Sequence, residues 1–485
     1  MIMAADLLSC DVAVIGAGPA GLAAAQEAAG AGADVLCLDL YAQPGGQYAM
    51  QPSDPSCPLA ATEAARLGRD LADTARAAGV RLLPRAELFW AAAEGEDFLL
   101  YAALDGGTEA LAIRARAVIV AAGAMERPLP FPGWTLPGVI GAGAAQRMVK
   151  SGGALPFGGK VVVAGTGAFL MAVASTFAKA GRRIDHFVER QPLRPLSTLA
   201  MLACWPSRWN ATAGLLADLR RSGAQRHHGH VVTRALGRER LEEVEIAPVD
   251  AAGQPVLSRA ERIGGVGALC IGYGFQPVVD VTTALGADHA HDPALGGWHC
   301  LTRPDSGETS HPGLYAAGET CGIGGMRPAL VSGRIAGLSA AAKVGGRAPD
   351  PGLMRNLAAE LTKARRFAAA LAAHWPAPEA PRVPLPETEV ICRCEDVRLS
   401  DIRAAVQAGA AETFAVKMWT RAGMGPCQGR VCGAALAAAL AEAGVPPAQA
   451  GYNRPHLPLR PVPMNAVHAA LARTARPDTP GTGPA

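Results

Sequence analysis

The chain has 485 residues, half of them hydrophobic, and a formal net charge of +3, enough length for about three domains with their own cores. No block of five like charges occurs, so neither a nucleic acid nor a charged membrane surface is expected as a ligand. Uncharged stretches are short or broken by glycine and proline, and the start, with Asp6 and Asp11, has no basic segment or cleavage site; a cytoplasmic chain without membrane span or signal peptide is expected, any membrane association being through a complex.

Residues 11–15 read as a buried strand. Gly16-Ala17-Gly18-Pro19-Ala20-Gly21 follows, then an alanine-rich helix to about residue 29 and a second strand over 33–38 that ends at Asp39. In such a unit Gly16 makes the turn, Gly18 lets a pyrophosphate approach the backbone, and Gly21 allows close helix–strand packing. The free N–H groups at the helix start suit phosphates. Asp39 stands where an acid accepts adenosine ribose hydroxyls. Gln43-Pro44-Gly45-Gly46-Gln47 comes next and is expected to wrap the cofactor's middle. Residues 118–123 form another buried strand, ending in small residues at Gly123.

A second strand–turn–helix unit begins at Gly159, with Gly165-Thr166-Gly167 as its turn, a helix over 168–180, and Glu189 at the acid position. Leu170 replaces the third glycine and should hold helix and strand further apart. Two readings of this unit stay open, an NAD(P) site and a dinucleotide-shaped domain without one. His227, His228 and His230 read as a polar surface loop, because no cysteine or acid joins them at a metal-ligand spacing. Residues 313–319 repeat the strand-and-glycine pattern and end at Gly318 and Glu319, before a glycine-rich 321–325 and a helix from about 328. Each such run taken singly could be a plain strand and turn; their order raises the case for a flavin site.

A charged helix over 353–374 precedes a proline-rich linker over 375–386. Four of the 11 cysteines then form a C-x-C pair, Cys392 and Cys394, and a C-x4-C pair, Cys427 and Cys432, the second within glycine-rich 423–432. Four thiolates can hold a [2Fe–2S] cluster, and glycines let backbone N–H groups approach its sulfurs. Four thiolates also suit one structural zinc, the competing reading. Ser400 is the expected N-cap of a short helix stopped by Gly409, another helix follows Cys432, and residues from 474 on are expected to be disordered. The other cysteines (Cys10, Cys37, Cys57, Cys204, Cys270, Cys300 and Cys321) are scattered singly, as small buried hydrophobes are. No C-x2-C or C-x4-C pair precedes residue 390, so no redox-active disulfide is expected.

Together these motifs resemble the two-dinucleotide-domain flavoproteins, α/β proteins in which an NAD(P)-type domain interrupts an FAD domain. Met125-Glu-Arg-Pro-Leu-Pro-Phe-Pro-Gly-Trp-Thr-Leu-Pro-Gly138 and Cys392-Arg393-Cys394-Glu395, with 423–432, sharpen the likeness. They look like the larger (alpha) subunits of opine oxidases, of D-hydroxyproline and related heteromeric amine dehydrogenases, and the corresponding component of hydrogen cyanide synthase. The cysteine module resembles the mostly helical bacterioferritin-associated ferredoxin-like domain, with C-x4-C in place of a closer second pair. The resemblance implies FAD-binding halves at 1–135 and 261–345, an insert at 136–260, a helix and linker at 346–388, a [2Fe–2S] domain at 389–455 and a tail at 456–485. It implies FAD at Gly16, Ala17, Gly18, Pro19, Ala20, Gly21, Asp39, Gly46, Gln47, Gly123, Gly318 and Glu319, with Glu319 where aspartate is usual. It also implies a small amine or amino-acid-derived substrate and a smaller FAD-containing partner subunit, the larger one moving electrons onward. No catalytic acid, base or nucleophile is assigned. Two alternatives stand beside this reading: a self-sufficient NAD(P)H-dependent reductase, and a scaffold holding a non-redox adenine nucleotide.

Overall fold

The computed structural model describes residues 7–155, 158–192, 195–205, 209–378 and 383–474. β1 (Leu7–Ile15) is buried from Val12 on, as expected of a strand in a parallel sheet covered on both faces. α1 (Pro19–Gly30) has proline at its start, where a missing N–H costs nothing, and β2 (Val35–Leu38) returns parallel to β1. α2 (Glu63–Ala77) is capped by the Thr62 hydroxyl and leads to β3 (Arg81–Leu83), parallel to β2. An antiparallel meander of β4 (Ala86–Glu94), β5 (Asp97–Leu104) and β6 (Glu109–Val120) follows. One edge of β6 runs parallel to β1. Its other edge pairs β5 and then leaves residues 118–120 for a strand from much later in the chain.

β7 (Ala124–Glu126) carries the chain into an inserted domain. This contains β8 (Val139–Gly141), α3 (Ala142–Lys150), β9 (Lys160–Gly165), α4 (Ala168–Lys179), β10 (His186–Glu189), α5 (Pro195–Cys204), α6 (Trp209–Arg221) and β11 (Gln225–His228). An antiparallel sheet of β12 (His230–Leu236), β13 (Glu243–Pro248) and β14 (Glu261–Gly264) follows. β15 (Val266–Gly272) then enters the parallel sheet, in the order β11-β10-β9-β15-β8. This strand lies beyond residue 260, where the sequence reading closes the insert. Its short apolar run has no periodicity that would assign it to one domain or the other. β16 (Phe275–Pro277) pairs antiparallel with β7, so one two-stranded ribbon carries the chain out and back.

α7 (Asp280–Ala284), β17 (His289–Asp292) and β18 (Gly297–Cys300) lead to β19 (Leu314–Ala316), which takes the open edge of β6. α8 (Met326–Lys343) then packs on α1, and α9 (Pro351–His374) packs Leu357 and Leu361 against Val331, Ile335 and Leu338 of α8. The linker is described to residue 378 and from 383. β20 (Val390–Cys392), β21 (Val397–Arg398), α10 (Leu399–Gln407), α11 (Thr413–Thr420), α12 (Gly433–Glu442) and α13 (Pro447–Ala450) form a small, mostly helical domain. Its own core includes Ile402, Val416, Leu436 and Leu440. Ser400 is not its cap: the Asp401 carboxylate accepts from the Arg398 N–H at 2.9 Å, starting α10 earlier, while the Ser400 N–H donates to the Glu387 carbonyl. α14 (Met464–Thr474) seats Ala466, Ala469 and Ala470 on Phe89, Tyr101 and Ala112 of the meander. Thr474 thus ends a helix, and the rest of the tail expected to be disordered lies outside the described residues. Among the described residues no helix is long and apolar enough to cross a membrane.

The α1–α8 contact is backbone to backbone. A Cβ on Gly333 or Gly337 would overlap the carbonyl oxygens of Ala20 and Ala24. Gly333→Leu should therefore force α8 off α1 and destabilise the protein by about 1–3 kcal/mol, the usual cost of overpacking. Gly30→Ala, whose Cβ meets nothing within 4 Å, should be neutral. Denaturant unfolding of the two variants checks both.

Candidate functional site

The expected flavin-binding residues gather at the C-terminal end of the first sheet. Gly18 precedes α1 and Pro19 opens it. A Cβ on Gly21 would overlap the Gly16 carbonyl oxygen, which is why helix and turn can approach only without a side chain there. The Gly45 N–H donates to the Ala17 carbonyl at 2.8 Å, folding the 43–47 loop back over the fingerprint. A Cβ on Gly46 would stand 2.9 Å from the Gly18 Cα, whereas one on Gly18 would meet nothing nearer than 3.9 Å. Gly16 borders the Ala121 carbonyl at the end of β6, and the space above Gly123 is open. A Cβ on Gly318 would sit 2.8 Å from the Ala20 Cβ, which brings the loop after β19 to the start of α1. Gln47 faces elsewhere: its side-chain amide donates to the Tyr41 hydroxyl at 2.6 Å and its carbonyl accepts from Lys150 of α3. Burial lowers the Lys150 ammonium to about 8.

Asp39 is buried at the end of β2 and accepts from the N–H groups of Ala17 at 2.6 Å and Tyr41 at 2.7 Å. Burial pushes its carboxyl up, and the Tyr41 and Ala17 N–H groups pull it back. Glu319 is also pushed up by burial, and its Oε1 accepts from the Gly325 N–H at 3.2 Å. The extra methylene relative to aspartate is thus used to span the 321–325 loop. Beside it, the Thr320 hydroxyl is buried without a hydrogen-bond partner. A side-chain-free cradle at a helix start, a buried acid and an unpartnered hydroxyl fit an extended dinucleotide.

The second fingerprint keeps its shape. Glu189 accepts from the Thr166 hydroxyl at 3.0 Å and from the Gly167 N–H at 3.1 Å, and burial first of all raises its carboxyl to about 7. Leu170 is fully buried beside Val163, Ala142 and Val173. Room for it comes from Gly272 on β15, where a Cβ would touch the leucine at 3.4 Å. Glu126, absent from the sequence-derived site, reaches into this domain and accepts from the Gly143 N–H at 2.7 Å and the Ala144 N–H at 3.2 Å.

The histidines are not a surface loop. His227 and His228 lie on β11 and His230 on β12, half-buried, with His186 Nδ1 3.2 Å from His227 Nε2 and Glu261 3.4 Å from His227 Nδ1. Strand pairing supplies the acid that linear spacing did not show. Of the scattered cysteines, Cys10, Cys37, Cys270 and Cys300 are buried, Cys57 and Cys321 are half-buried, and Cys204 is exposed.

The four late cysteines lie together as two pairs. Cys392 is influenced most by its neighbour Cys432, and Cys394 has Cys427 beside it. The Cys432 thiol, with the backbone N–H groups of Gly423, Glu395 and Cys394, holds Cys392 down at about 6 against burial. Cys432 is pushed up, by Cys392 first and by burial second. Among the described residues no three metal-ligating side chains converge as ligands of one ion do. The four thiols are near enough to shift one another's charge, a neighbourhood that both a [2Fe–2S] cluster and a structural zinc require.

The glycines of this loop have specific neighbours. Gly423 and Gly429, at φ +88° and +80°, enclose the buried Asn453 side chain, which any Cβ on either would strike. A Cβ on Gly425 would overlap that of Cys394. Trp134 Nε1 donates to the Val390 carbonyl at 2.8 Å, and Arg393 lies over the Trp134 ring. Asn453 and Trp134 carry no motif of their own; only the glycines around the first and the loop after β7 hint at them.

Residues 10–345 match the family described as pyridine nucleotide-disulphide oxidoreductase, and residues 390–442 match the BFD-like [2Fe-2S] binding domain. The chain belongs to this pyridine nucleotide-disulphide oxidoreductase family of flavin-dependent oxidoreductases, which implies FAD, and its cysteine domain is of the BFD-like kind, which implies a [2Fe–2S] cluster. It is 34% identical to the HcnB subunit of hydrogen cyanide synthase from Pseudomonas protegens, over 95% of this chain and 97% of that protein. It is 32% identical to the A subunit of opine oxidase from Agrobacterium tumefaciens, over 96% and 92%. Among solved structures, L-proline dehydrogenase from P. horikoshii superimposes with a TM-score of 0.67 over 95% of this chain and 80% of that one, at 19% identity.

Because the protein itself leaves room at Gly18, Gly18→Val should fold normally and lose FAD, the bulky group filling the space of the pyrophosphate. Gly21→Val should fail to fold. Flavin absorbance per folded chain, with far-UV circular dichroism as control, separates the two.

Proposed function

We propose that the chain is the FAD- and [2Fe–2S]-bearing component of a heteromeric dehydrogenase that oxidises a small amine or imino acid of the opine, hydroxyproline or glycine type. The observation that carries this reading is the gathering of four cysteines on a domain whose loop bonds Asp280 and Gln276 of the flavin fold. The relatives, each named as one subunit of its enzyme, support a partner, for which a smaller FAD-containing oxidoreductase is proposed. Bound FAD accepts an electron pair and releases single electrons, which a two-iron cluster carries one at a time.

In this reading Gly16, Ala17, Gly18, Pro19, Ala20 and Gly21 take the pyrophosphate, with N–H groups at the start of α1 as donors. Asp39, already turned toward the fingerprint by Ala17 and Tyr41, offers its remaining lone pairs to the ribose. Gly46 closes the cradle from above, Gln47 borders it, and Gly123, Gly318 and Glu319 line the path toward the flavin ring. Cys392, Cys394, Cys427 and Cys432 hold the cluster, and the N–H groups of Gly423 and Glu395 stabilise its sulfur charge.

A second reading, a self-sufficient NAD(P)H-dependent reductase, draws on the intact Glu189–Thr166–Gly167 turn. Against it stands Leu170 at the packing position of that fingerprint.

Reconstituted chain should hold about two irons and two labile sulfides. Cys→Ser at any of the four should abolish or strongly alter the visible spectrum of the cluster, and Cys321→Ser should not; metal analysis showing one zinc and no sulfide would refute the assignment. Dye reduction with opines, proline and hydroxyproline should require the partner. Equal turnover by this chain alone would refute the heteromeric reading, and rapid anaerobic bleaching of the flavin by NADH or NADPH would favour the reductase.

A further inference from the structure

Arg430 lies in the loop between Cys427 and Cys432 and is buried, 8% exposed. A guanidinium is kept out of water only where its charge and its donors are met. Nε donates to Asp280 Oδ2 at 2.7 Å, Nη1 to the Cys427 carbonyl at 3.1 Å, and Nη2 to the Leu459 carbonyl at 3.1 Å. Asp280 Oδ1 accepts from the Tyr452 hydroxyl at 3.0 Å, and the Arg430 carbonyl accepts from Gln276 Nε2 at 2.9 Å. Three pieces of chain thus meet at one side chain: the cysteine loop, the first turn of α7 in the flavin domain, and residues 452–459 ahead of α14.

We propose that Arg430 is a positioning residue, which holds the loop carrying Cys427 and Cys432 against the flavin domain and, with Asp280, balances the charge beside the cluster. The proposal rests on the ligand assignment made above. Groups that fix a ligand's backbone tune a metal centre from outside its ligand shell, and Arg430 bonds the carbonyl of a ligand directly. Arginine suits the place because three separate nitrogens of its planar fork meet three separated acceptors, a span the single nitrogen of lysine does not have. The pairing with Asp280 makes a signed prediction. Each one-electron reduction adds a negative charge to the cluster, so an unpaired Asp280 opposes reduction and an unpaired Arg430 favours it.

The test is a potentiometric titration of the whole reconstituted chain with dithionite and mediators, followed by the EPR signal of the reduced cluster. Asp280→Asn should make the cluster easier to reduce and Arg430→Gln harder, each changing the reduced-to-oxidised ratio at fixed potential by about tenfold. The double variant should return near the parent, as a neutral pair leaves no lone buried charge. Arg430→Lys should keep the potential but lose iron to a chelator several-fold faster. If Arg430→Gln fails to hold a cluster, retention by the double variant would identify the unpaired carboxylate as the cause and support the proposal; loss from both would overturn it. Shifts of the same sign in the two single variants, or none, would also overturn it. A parent chain that takes up no iron and sulfide would instead refute the ligand assignment.

Discussion

The close approach of α8 to α1, with Gly333 and Gly337 set directly on the carbonyls of Ala20 and Ala24, is the contact that closes the flavin domain. The two helices come from opposite sides of a long insert. β19 adds to the free end of β6 just ahead of α8, and Gly318 lies against Ala20 at the start of α1. Backbone contact of this kind leaves no space for a side chain, so two glycines on one helix face set how closely α8 approaches the dinucleotide cradle.

The insert and the cysteine domain are then placed by apolar packing, Leu59 in the core of the insert and Val431 against the Phe131 and Trp134 cluster, together with polar contacts at a few points. The β7–β16 ribbon joins the insert to the flavin domain, and Lys150 of α3 ties it to the carbonyls of Gln47 and Tyr48. On the cysteine side, Trp134 holds the strand that ends in Cys392, and the buried Arg430–Asp280 pair holds the loop that ends in Cys432. Both halves of the cysteine framework are therefore pinned to the rest of the chain within two residues of a thiol. α14 completes the arrangement by returning from the cysteine domain to the meander. Contacts at Trp134, at the Arg430–Asp280 pair and along α14 thus join the cysteine domain to the rest of the chain.

Much of this is legible in the linear chain because glycine-rich turns are local. The turn from Gly16 through Gly21 and the position of Asp39 are read directly, since each does its job within a few residues, whereas the C-x-C and C-x4-C spacings do not show that Cys392 neighbours Cys432 and Cys394 neighbours Cys427. What escapes is whatever depends on partners far along the chain. Nothing local says that Gly333 and Gly337 face carbonyls, that Asn453 fills the space between Gly423 and Gly429, or that Asp280 awaits Arg430. β15 is an apolar run whose membership is settled only by pairing with β8 and β9. The histidines look like a loop because Glu261 and His186 reach them across strands. Ser400 looks like a cap because its type favours one, yet Asp401 reaches the Arg398 N–H first.

In the proposed function the cysteine domain carries one electron at a time beside a flavin on the same chain. Quantitative EPR of the anaerobically purified, dithionite-reduced protein addresses it most directly. One paramagnetic iron–sulfur centre of about one spin per chain, absent before reduction, is the result this account predicts for a two-iron cluster. A chain that retains FAD but shows no such signal at any stage of reduction would contradict it.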